Sequence, residues 1–328
     1  MIGGPPGPRG RAAALALAAL ALSACAAPRP SLAQAPAPVG AAAPAGVRTD
    51  TAALRRSLDA LADAHRGVVG YAVHNLDTGE RLARRGDETF PTASLIKVPV
   101  LVTVFDLVEK GQLSLDDPLT VLRIDQVPGS GVLQRFHPGT QITVGDAAWL
   151  MTIISDNTAT NLLLDRIIIR RVWDKMEALG LPHTKVHSKS FLRSSSVAMD
   201  SSVKYGLGVT TPNEMARLFA LLADGQAVSA GADSAMIAIL DANEDGQLLQ
   251  RYAGGVRAAH KTGATDQVRT ECTLWRLPSR VVACVLTKEN ADTRWVLDNE
   301  AQLTMARMGE AIVRAWRPAE TAGTRPAP

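Results

Sequence analysis

Segments with β-strand character lie near both ends of this chain, and the chain between them has helical periodicity. Residues 68–74 alternate, and a turn at 75–80 precedes a return strand that starts at Arg81. Residues 272–277 and 281–287 predict a second hairpin. This order predicts an α/β fold, an α+β sandwich, in which both chain ends build one antiparallel sheet flanked by helices, with an inserted all-helical domain.

The predicted folded region covers residues 49–316. Its α/β part comprises residues 49–91 and 224–316, and its helical part comprises residues 92–223. With 328 residues, of which 46% are hydrophobic, the chain can bury a large core. The net charge of +3 gives no case for a nucleic-acid partner, and we expect a monomer. A cleft between the two parts would be a natural ligand site.

Apolar spacing at 3.6-residue intervals predicts the individual helices. They are expected at residues 50–65, 95–110, 144–154, 158–169, 173–179, 215–222, 235–252 and 299–316. Between them, residues 183–208 are polar and irregular. A loop of this length in a compact domain is usually functional or mobile.

The N-terminus has the pattern of an export signal. Arg9 and Arg11 precede an apolar run, residues 12–22, that is too short to span a bilayer. The run ends in Leu-Ser-Ala-Cys25, which resembles the lipobox of bacterial lipoproteins, so residues 1–25 are interpreted as a lipoprotein-type signal peptide lipidated at Cys25. The alternative is an ordinary secretory signal cut near residues 33–35. Either reading predicts an exported, periplasmic or extracytoplasmic protein. In the lipoprotein reading, a lipid anchor is its only contact with the membrane.

Two flanking segments have the composition of disordered chain. Residues 26–48 form an Ala/Pro-rich linker, and residues 317–328 form a similar tail. The two other cysteines, Cys272 and Cys284, fall in adjacent β-like runs and could face each other. A register shift of one residue reverses the face of a strand, so the sequence leaves this disulfide open.

A Ser-x-x-Lys pair heads the apolar helix that starts at residue 95. Positions three apart share one helix face, so the Lys97 amine can lie beside the Ser94 hydroxyl. A serine needs a base to become a nucleophile, and a lysine can be that base only when burial or a nearby cation lowers its pKa. The pair alone is weak evidence, because Ser201 and Lys204 repeat it. Pro99 predicts an irregular first helical turn.

Two further motifs follow the first in the chain, Ser155-Asp156-Asn157 at a predicted helix end and Lys261-Thr262-Gly263 on a predicted strand. Together, over about residues 51–316, the three motifs resemble the penicillin-recognising serine hydrolases, and class A β-lactamases most closely. The resemblance implies a β-lactam substrate opened by a serine acyl-enzyme. It implies no cofactor or metal, and His183 with His187 lacks a visible third ligand for zinc.

The resemblance also implies a role for each motif residue. Ser94 would attack the amide carbonyl, Lys97 would take its proton, and Ser155 would relay a proton to the departing nitrogen. Asn157 would bind an acylamino side chain, while Lys261, Thr262 and Gly263 would bind the substrate and its carboxylate. The backbone N–H groups of Ser94 and Ala264 would form the oxyanion hole. Asp156 is expected to cap backbone groups, and Arg269 either helps to bind a carboxylate or is a solvated strand residue.

One departure from the family pattern concerns deacylation. Class A enzymes carry a glutamate in the long loop that activates the deacylating water. Here that stretch contains Lys189, Ser190 and Arg193, and the only loop carboxylate is Asp200. Asn161, which resembles the asparagine that supports the glutamate, is present. The sequence therefore keeps three functions open: a β-lactamase with slow deacylation, a cell-wall peptidase or esterase on the same scaffold, and a non-hydrolysing penicillin-binding protein or sensor.

Overall fold

A computed structural model describes residues 46–317. The predicted signal peptide with Cys25, the linker up to residue 45 and the tail from residue 318 lie outside the described residues. Within residues 46–317, no helix combines the length and the apolar character that crossing a membrane requires. We keep the division of the folded region at residues 91/92 and 223/224 as a proposal.

Helices and strands follow one another along the described chain. The helices are α1 (Thr51–Asp63), α2 (Lys97–Glu109), α3 (Val144–Ile153), α4 (Asn157–Ile167), α5 (Ile169–Ala178), α6 (Met199–Tyr205), α7 (Pro212–Ala223), α8 (Ala230–Asp241) and α9 (Glu300–Trp316). The strands are β1 (Val68–Asn75), β2 (Arg81–Arg84), β3 (Phe90–Pro91), β4 (Pro118–Thr120), β5 (Gln141–Thr143), β6 (Lys185–Val186), β7 (Gly208–Thr210), β8 (Ala258–Thr265), β9 (Val268–Arg276) and β10 (Arg280–Lys288).

The principal sheet joins the two ends of the described chain. Its strand order is β2-β1-β10-β9-β8, and every neighbouring pair is antiparallel. Strand β1 lies beside β10, with Val69 opposite Thr287. The prediction of an antiparallel sheet built from both chain ends is confirmed. Short pairs that the sequence did not predict, β4 with β5 and β6 with β7, lie in the middle of the chain.

Both faces of this sheet are covered by apolar layers. Along β10, Val281, Ala283 and Val285 belong to the layer that contains residues of α1 and α9. The intervening residues Val282, Cys284 and Leu286 belong to the layer that contains residues of α2, α7 and α8. This alternation follows from the two-residue period of a strand. Each fully buried Val or Leu side chain stabilises the fold by about 1.5–3 kcal/mol, so a sheet covered on both faces is strongly held.

Cys272 and Cys284 form a disulfide, which answers the question that the sequence left open. The two residues are directly opposite each other on β9 and β10, with 4.1 Å between their Cα atoms. Lys261 on β8 is the neighbour of Cys272 on the other side. The disulfide therefore joins β10 to β9, which is the strand that pairs with β8 and its Lys-Thr-Gly motif.

The predicted helix at residues 235–252 is wrong in its second half. Helix α8 ends at Asp241, and residues 243–246 form a hydrogen-bonded loop instead. Asn243 Oδ1 accepts a hydrogen bond from the backbone N–H of Asp245 at 2.9 Å. Asn and Asp side chains compete with helical backbone hydrogen bonds in this way, and Gly246 further disfavours a helix.

The predicted helix at residues 158–169 is interrupted near its end. Helix α4 ends at Ile167, and Ile168 adopts a φ of +68° before α5 starts at Ile169. Ile167 and Ile169 are both buried, whereas Ile168 is 57% exposed. Because of this break, Ile167 and Ile169 can both face the core. In a continuous helix with 3.6 residues per turn, residues two positions apart would point to nearly opposite sides.

Candidate active site

Ser94 lies in a tight turn in front of α2. A 3₁₀ helix spans Ala93–Ile96, and α2 starts at Lys97. Ala93 has a φ of +44°, which is unusual for a residue with a side chain. The irregular first turn expected from Pro99 lies just before α2, so that Pro99 is the third α-helical residue, where its missing N–H costs no helical hydrogen bond.

Strand β8 approaches this turn very closely at Gly263. An added Cβ on Gly263 would lie 2.5 Å from the Thr92 carbonyl oxygen and 2.8 Å from the Leu95 nitrogen. The hydroxyl of Thr270 on β9 donates to the same Thr92 carbonyl at 2.8 Å. The absence of a side chain at Gly263 therefore lets the edge strand hold the Ser94 turn against the sheet.

Lys97 is the centre of a polar cluster inside an apolar helix. Its side chain is 1% exposed. Nζ donates to the Ser155 carbonyl oxygen at 2.7 Å, to Ser155 Oγ at 3.1 Å and to Asn157 Oδ1 at 2.9 Å. A charged amine would use all three of its N–H donors on these contacts. The neutral amine has two N–H donors and a lone pair, and the Ser155 hydroxyl is the one partner that can donate to that lone pair. Ser94 is not among its hydrogen-bond partners in the described part of the chain, so one of these bonds must break before Lys97 can act on Ser94.

The environment of Lys97 favours its neutral form. Burial lowers the pKa of Lys97 well below its ordinary value of 10.5, and the nearby cation of Lys261 lowers that pKa further. The carboxylate of Asp156 acts in the opposite direction and raises it. A neutral amine can accept a proton, so Lys97 meets the condition set for a base that activates serine.

The Ser155-Asp156-Asn157 motif forms the start of α4. Asp156 is the N-cap residue, and its Oδ1 accepts a hydrogen bond from the Ala159 N–H at 2.9 Å. Its Oδ2 accepts from the N–H groups of Val132 and Leu133 at 2.7 and 2.9 Å. Asp156 thus caps backbone groups as expected, and Ser155, with a φ of +57°, is held between this helix and Lys97.

Lys261 is a second buried lysine in the same region. It is 1% exposed, and its Nζ donates to the Thr262 carbonyl oxygen at 2.8 Å. Burial lowers the pKa of Lys261 to about 8, against the opposing effects of Asp245 and Glu271. Lys261 and Ser155 line one cavity of about 240 Å³. Strand β8, at the edge of the sheet, thereby places the Lys-Thr-Gly motif beside the Ser-Asp-Asn motif.

The rest of the Lys-Thr-Gly strand lines a neighbouring cavity of about 310 Å³. Thr262, Gly263 and Ala264 all contribute to its wall. Arg269 lies in the same wall but is 2% exposed, and its guanidinium group donates to the backbone carbonyls of Thr265 and Val268. Arg269 is therefore a buried residue and not a solvated one.

Asn161, which resembles the asparagine that supports the loop glutamate of class A enzymes, contacts Ser190 in the long loop. The Asn161 side chain accepts a hydrogen bond from the Ser190 N–H at 2.7 Å and donates to the Ser190 carbonyl at 3.1 Å. Ser190 is 4% exposed, and its buried Oγ has no hydrogen-bond partner among the described residues. Lys189 points elsewhere and pairs with Asp165 at 2.9 Å. The Asn161 side chain thus fixes the backbone of Ser190.

Two residues considered from the sequence lie apart from this cluster. The Lys204 side chain of the second Ser-x-x-Lys pair is exposed on α6, where its Nζ lies 4.9 Å from the centre of the Tyr205 ring. Asp200 is exposed in the first turn of the same helix.

Asp245 is a site residue that the sequence reasoning missed. Its Oδ2 accepts a hydrogen bond from the Thr262 hydroxyl at 2.7 Å, and its side chain lines both cavities. The sequence predicts a helix over residues 235–252, which includes Asp245, and this prediction conceals the loop. The signal that could have found the loop is the Asn-Glu-Asp-Gly run at 243–246, which is typical of a turn.

Comparison with known proteins decides the family. The profile described as "Beta-lactamase enzyme family" matches residues 53–316, which is most of the chain. The chain belongs to the β-lactamase enzyme family. Within this family it is similar to Beta-lactamase L2 of Stenotrophomonas maltophilia, with 37% identity over 115 residues. That alignment covers 35% of each of the two chains, so the matched segment spans about a third of this relative.

Solved structures of β-lactamase-family proteins match over a longer part of the chain. A β-lactamase from Sphaerobacter thermophilus is similar at a TM-score of 0.72 and 28% identity, over 81% of this chain and 97% of that one. A leucine-to-glutamate mutant of PBP-A, solved as an acyl-enzyme complex with penicillin G, is similar at a TM-score of 0.72 and 26% identity. The alignment with PBP-A covers 81% of this chain and 96% of that one.

Proposed function

We propose that this protein is a serine hydrolase of β-lactamase type that opens β-lactam amides through an acyl-enzyme on Ser94. The observation that carries the proposal is the buried amine of Lys97, one 3₁₀ turn after Ser94 and hydrogen bonded to Ser155 and Asn157. Membership of the β-lactamase enzyme family and the similarity to a penicillin G acyl-enzyme of PBP-A support it.

In this mechanism neutral Lys97 takes the Ser94 proton as Oγ bonds to the β-lactam carbonyl carbon. The carbonyl oxygen becomes an oxyanion, for which the N–H groups of Ser94 and Ala264 are the proposed donors. When the C–N bond breaks, Ser155 gives its proton to the departing nitrogen and regains one from Lys97. Asn157, Lys261, Thr262 and Gly263 are the proposed substrate-binding residues.

We further propose that hydrolysis of the acyl-enzyme is slow. Hydrolysis of the ester needs a water molecule and a base that removes its proton. Asn161 holds Ser190 where the family's glutamate is expected, and a serine hydroxyl is a poor base near neutral pH. The same observation favours a second candidate function, that of a penicillin-binding protein that is acylated and keeps the acyl group. A cell-wall peptidase or esterase on the same scaffold remains the third candidate.

Mass spectrometry of the protein with benzylpenicillin over time tests these proposals. We expect an adduct of one penicillin per chain that forms quickly and decays slowly, with a matching burst of about one equivalent on a chromogenic cephalosporin. Ser94→Ala should abolish the adduct, whereas Ser201→Ala, in the second Ser-x-x-Lys pair, should not. An adduct that persists on Ser94→Ala would refute the nucleophile, and fast linear hydrolysis without a burst would refute slow deacylation.

For its location, we propose an exported lipoprotein that is anchored through Cys25 and acts as a monomer. The basis is the short apolar run that ends in Leu-Ser-Ala-Cys25. This segment lies outside the described residues.

A further inference from the structure

The loop after α8 places a carboxylate against the Lys-Thr-Gly motif. Asp245 Oδ2 accepts the hydrogen bond of the Thr262 hydroxyl at 2.7 Å. Two contacts fix the loop in this position: the side-chain N–H of Asn243 donates to the Thr152 carbonyl at 2.9 Å, and the Glu244 N–H donates to the Ile153 carbonyl at 3.1 Å. Both carbonyls belong to the end of α3, so the loop bridges the helical part of the chain and strand β8.

Asp245 also stands between the two cavities of the candidate site. On one side it lines the cavity that contains Ser155 and Lys261. On the other side it lines the cavity that contains Thr262 and Ala264. A ligand that runs from one cavity to the other along β8 therefore passes the Asp245 carboxylate.

The hydrogen-bond inventory of Thr262 makes this contact competitive. A threonine hydroxyl has one donor, and an ionised carboxylate can only accept. While Asp245 takes that donor, a substrate carboxylate cannot use it unless Asp245 moves away. Two carboxylates beside the same donor also repel each other.

Arg269 lies in the same wall as Asp245 and Thr262. Its guanidinium group donates to the carbonyls of Thr265 and Val268, and it lies 4.7 Å from the centre of the Trp295 ring. The remaining wall of the outer cavity includes Val296 and Leu297, which are apolar. Asp245 thus places its carboxylate at the Thr262 hydroxyl, in a wall that is partly apolar.

We infer that Asp245 is a specificity-determining residue that fills the carboxylate subsite and selects substrates that are neutral or cationic at that position. The inference rests on the proposed function, because it assigns Thr262 to that subsite. Such substrates are amides or esters in which the position next to the scissile bond carries an ester, an amide or an ammonium group in place of a carboxylate.

A matched pair of compounds tests the inference. A chromogenic cephalosporin and its carboxylate methyl ester differ only in the charge at this position. We expect Asp245→Asn to raise the second-order acylation rate constant for the free acid by about tenfold at low salt. The methyl ester should change by less than about twofold, since it has no charge to repel. Asparagine keeps an oxygen that can accept the Thr262 hydrogen bond, so the loop contact is retained.

Glu244→Gln is the matched control. It removes the same charge one residue away, at the same inner cavity, and Glu244 makes no hydrogen bond to Thr262 within the described residues. We expect it to change the acid-to-ester ratio by less than about twofold. An equal change for both compounds in Asp245→Asn, or an equal change in both variants, would overturn the inference.

The test separates this inference from the proposed function. Acylation of both compounds with an acid-to-ester ratio that Asp245→Asn leaves unchanged would overturn the role of Asp245 alone. Failure of wild type and variants to form any adduct with either compound would overturn the proposed function and this inference with it.

Discussion

Two buried amines share the candidate site, and the charge of Lys261 acts on Lys97. Burial and the Lys261 cation lower the pKa of Lys97, while burial lowers the pKa of Lys261 to about 8. Lys97 must be neutral to accept the Ser94 proton, whereas Lys261 must be charged to attract a substrate carboxylate. Acylation of a carboxylate-bearing substrate therefore needs a pH above the lowered pKa of Lys97 and not far above 8.

The pH profile of acylation should therefore be bell-shaped. As pH rises through the lowered pKa of Lys97, the neutral base accumulates and the rate rises. As pH rises further through about 8, Lys261 loses its charge and the rate for a carboxylate-bearing substrate falls. Stopped-flow acylation of a chromogenic cephalosporin and of its methyl ester checks this. The basic limb should be weaker for the ester, and a limb of equal size for both compounds would contradict the role of Lys261.

Substitutions at Ser190 test whether hydrolysis of the acyl-enzyme is slow because the loop lacks a base. Phe191, its neighbour, and Asn157 both lie close to Gly129, where an added Cβ would come within 3.1 Å of the Phe191 ring and 2.8 Å of Asn157 Nδ2. The loop therefore contacts the substrate-binding side of the site. We expect Ser190→Glu to hydrolyse the acyl-enzyme about 10²–10⁴-fold faster than wild type, because it supplies a carboxylate base.

Ser190→Gln is the control for Ser190→Glu, because it has nearly the same size and no basic group. The lifetime of the penicillin adduct in intact-protein mass spectra measures the outcome. We expect the glutamine variant to keep a lasting adduct. If both variants lost the adduct equally fast, the change would come from altered packing of this buried position and not from a base.

At the scale of elements, the contact between β8 and the 3₁₀ turn controls the position of Ser94. Gly263→Ala would force a Cβ to within 2.5 Å of the Thr92 carbonyl oxygen. We expect acylation to fall by at least about a hundredfold, because small misplacements of a reacting group have effects of this size. Stability should fall by about 1–3 kcal/mol from the overpacked contact.

Gly231→Ala in α8 is the matched substitution, since nothing lies within 4 Å of an added Cβ there. It should leave acylation unchanged and stabilise the helix by up to about 1 kcal/mol. Adduct formation and urea unfolding of both variants measure these effects. Wild-type acylation by Gly263→Ala would show that the close approach at this glycine does not position the nucleophile.

Local pattern predicted most of the helices and the principal sheet, and it failed where contacts between distant segments decide the structure. The helix predicted through Asp245 ends early because Asn243 and Asp245 bond to backbone groups, some of them in α3. The disulfide depended on a one-residue register between β9 and β10, which periodicity does not fix. The carboxylate of Asp245 at Thr262 is likewise a contact between elements, and no local pattern of either segment encodes it.

At the scale of the whole molecule, Cys25 is the proposed site of a lipid anchor. In a bacterial host that processes lipoproteins, we expect a mature N-terminus at Cys25 with a covalently attached lipid, and Cys25→Ser should abolish the lipid. Mass spectrometry of the membrane fraction checks both. An unlipidated mature protein that starts beyond Ala33 would establish the secretory alternative.

The pairing of β1 with β10 has a consequence for how the chain is made. Val69 cannot find Thr287 until nearly the whole polypeptide has been synthesised, because the helical middle separates the two strands. Native sheet contacts of such long sequence separation form slowly. Strand β1 therefore lacks β10, one of its two partner strands, until the ribosome has completed the C-terminal hairpin. For a protein that we propose is exported, we expect the β1–β10 pair to form only after β10 has crossed the membrane.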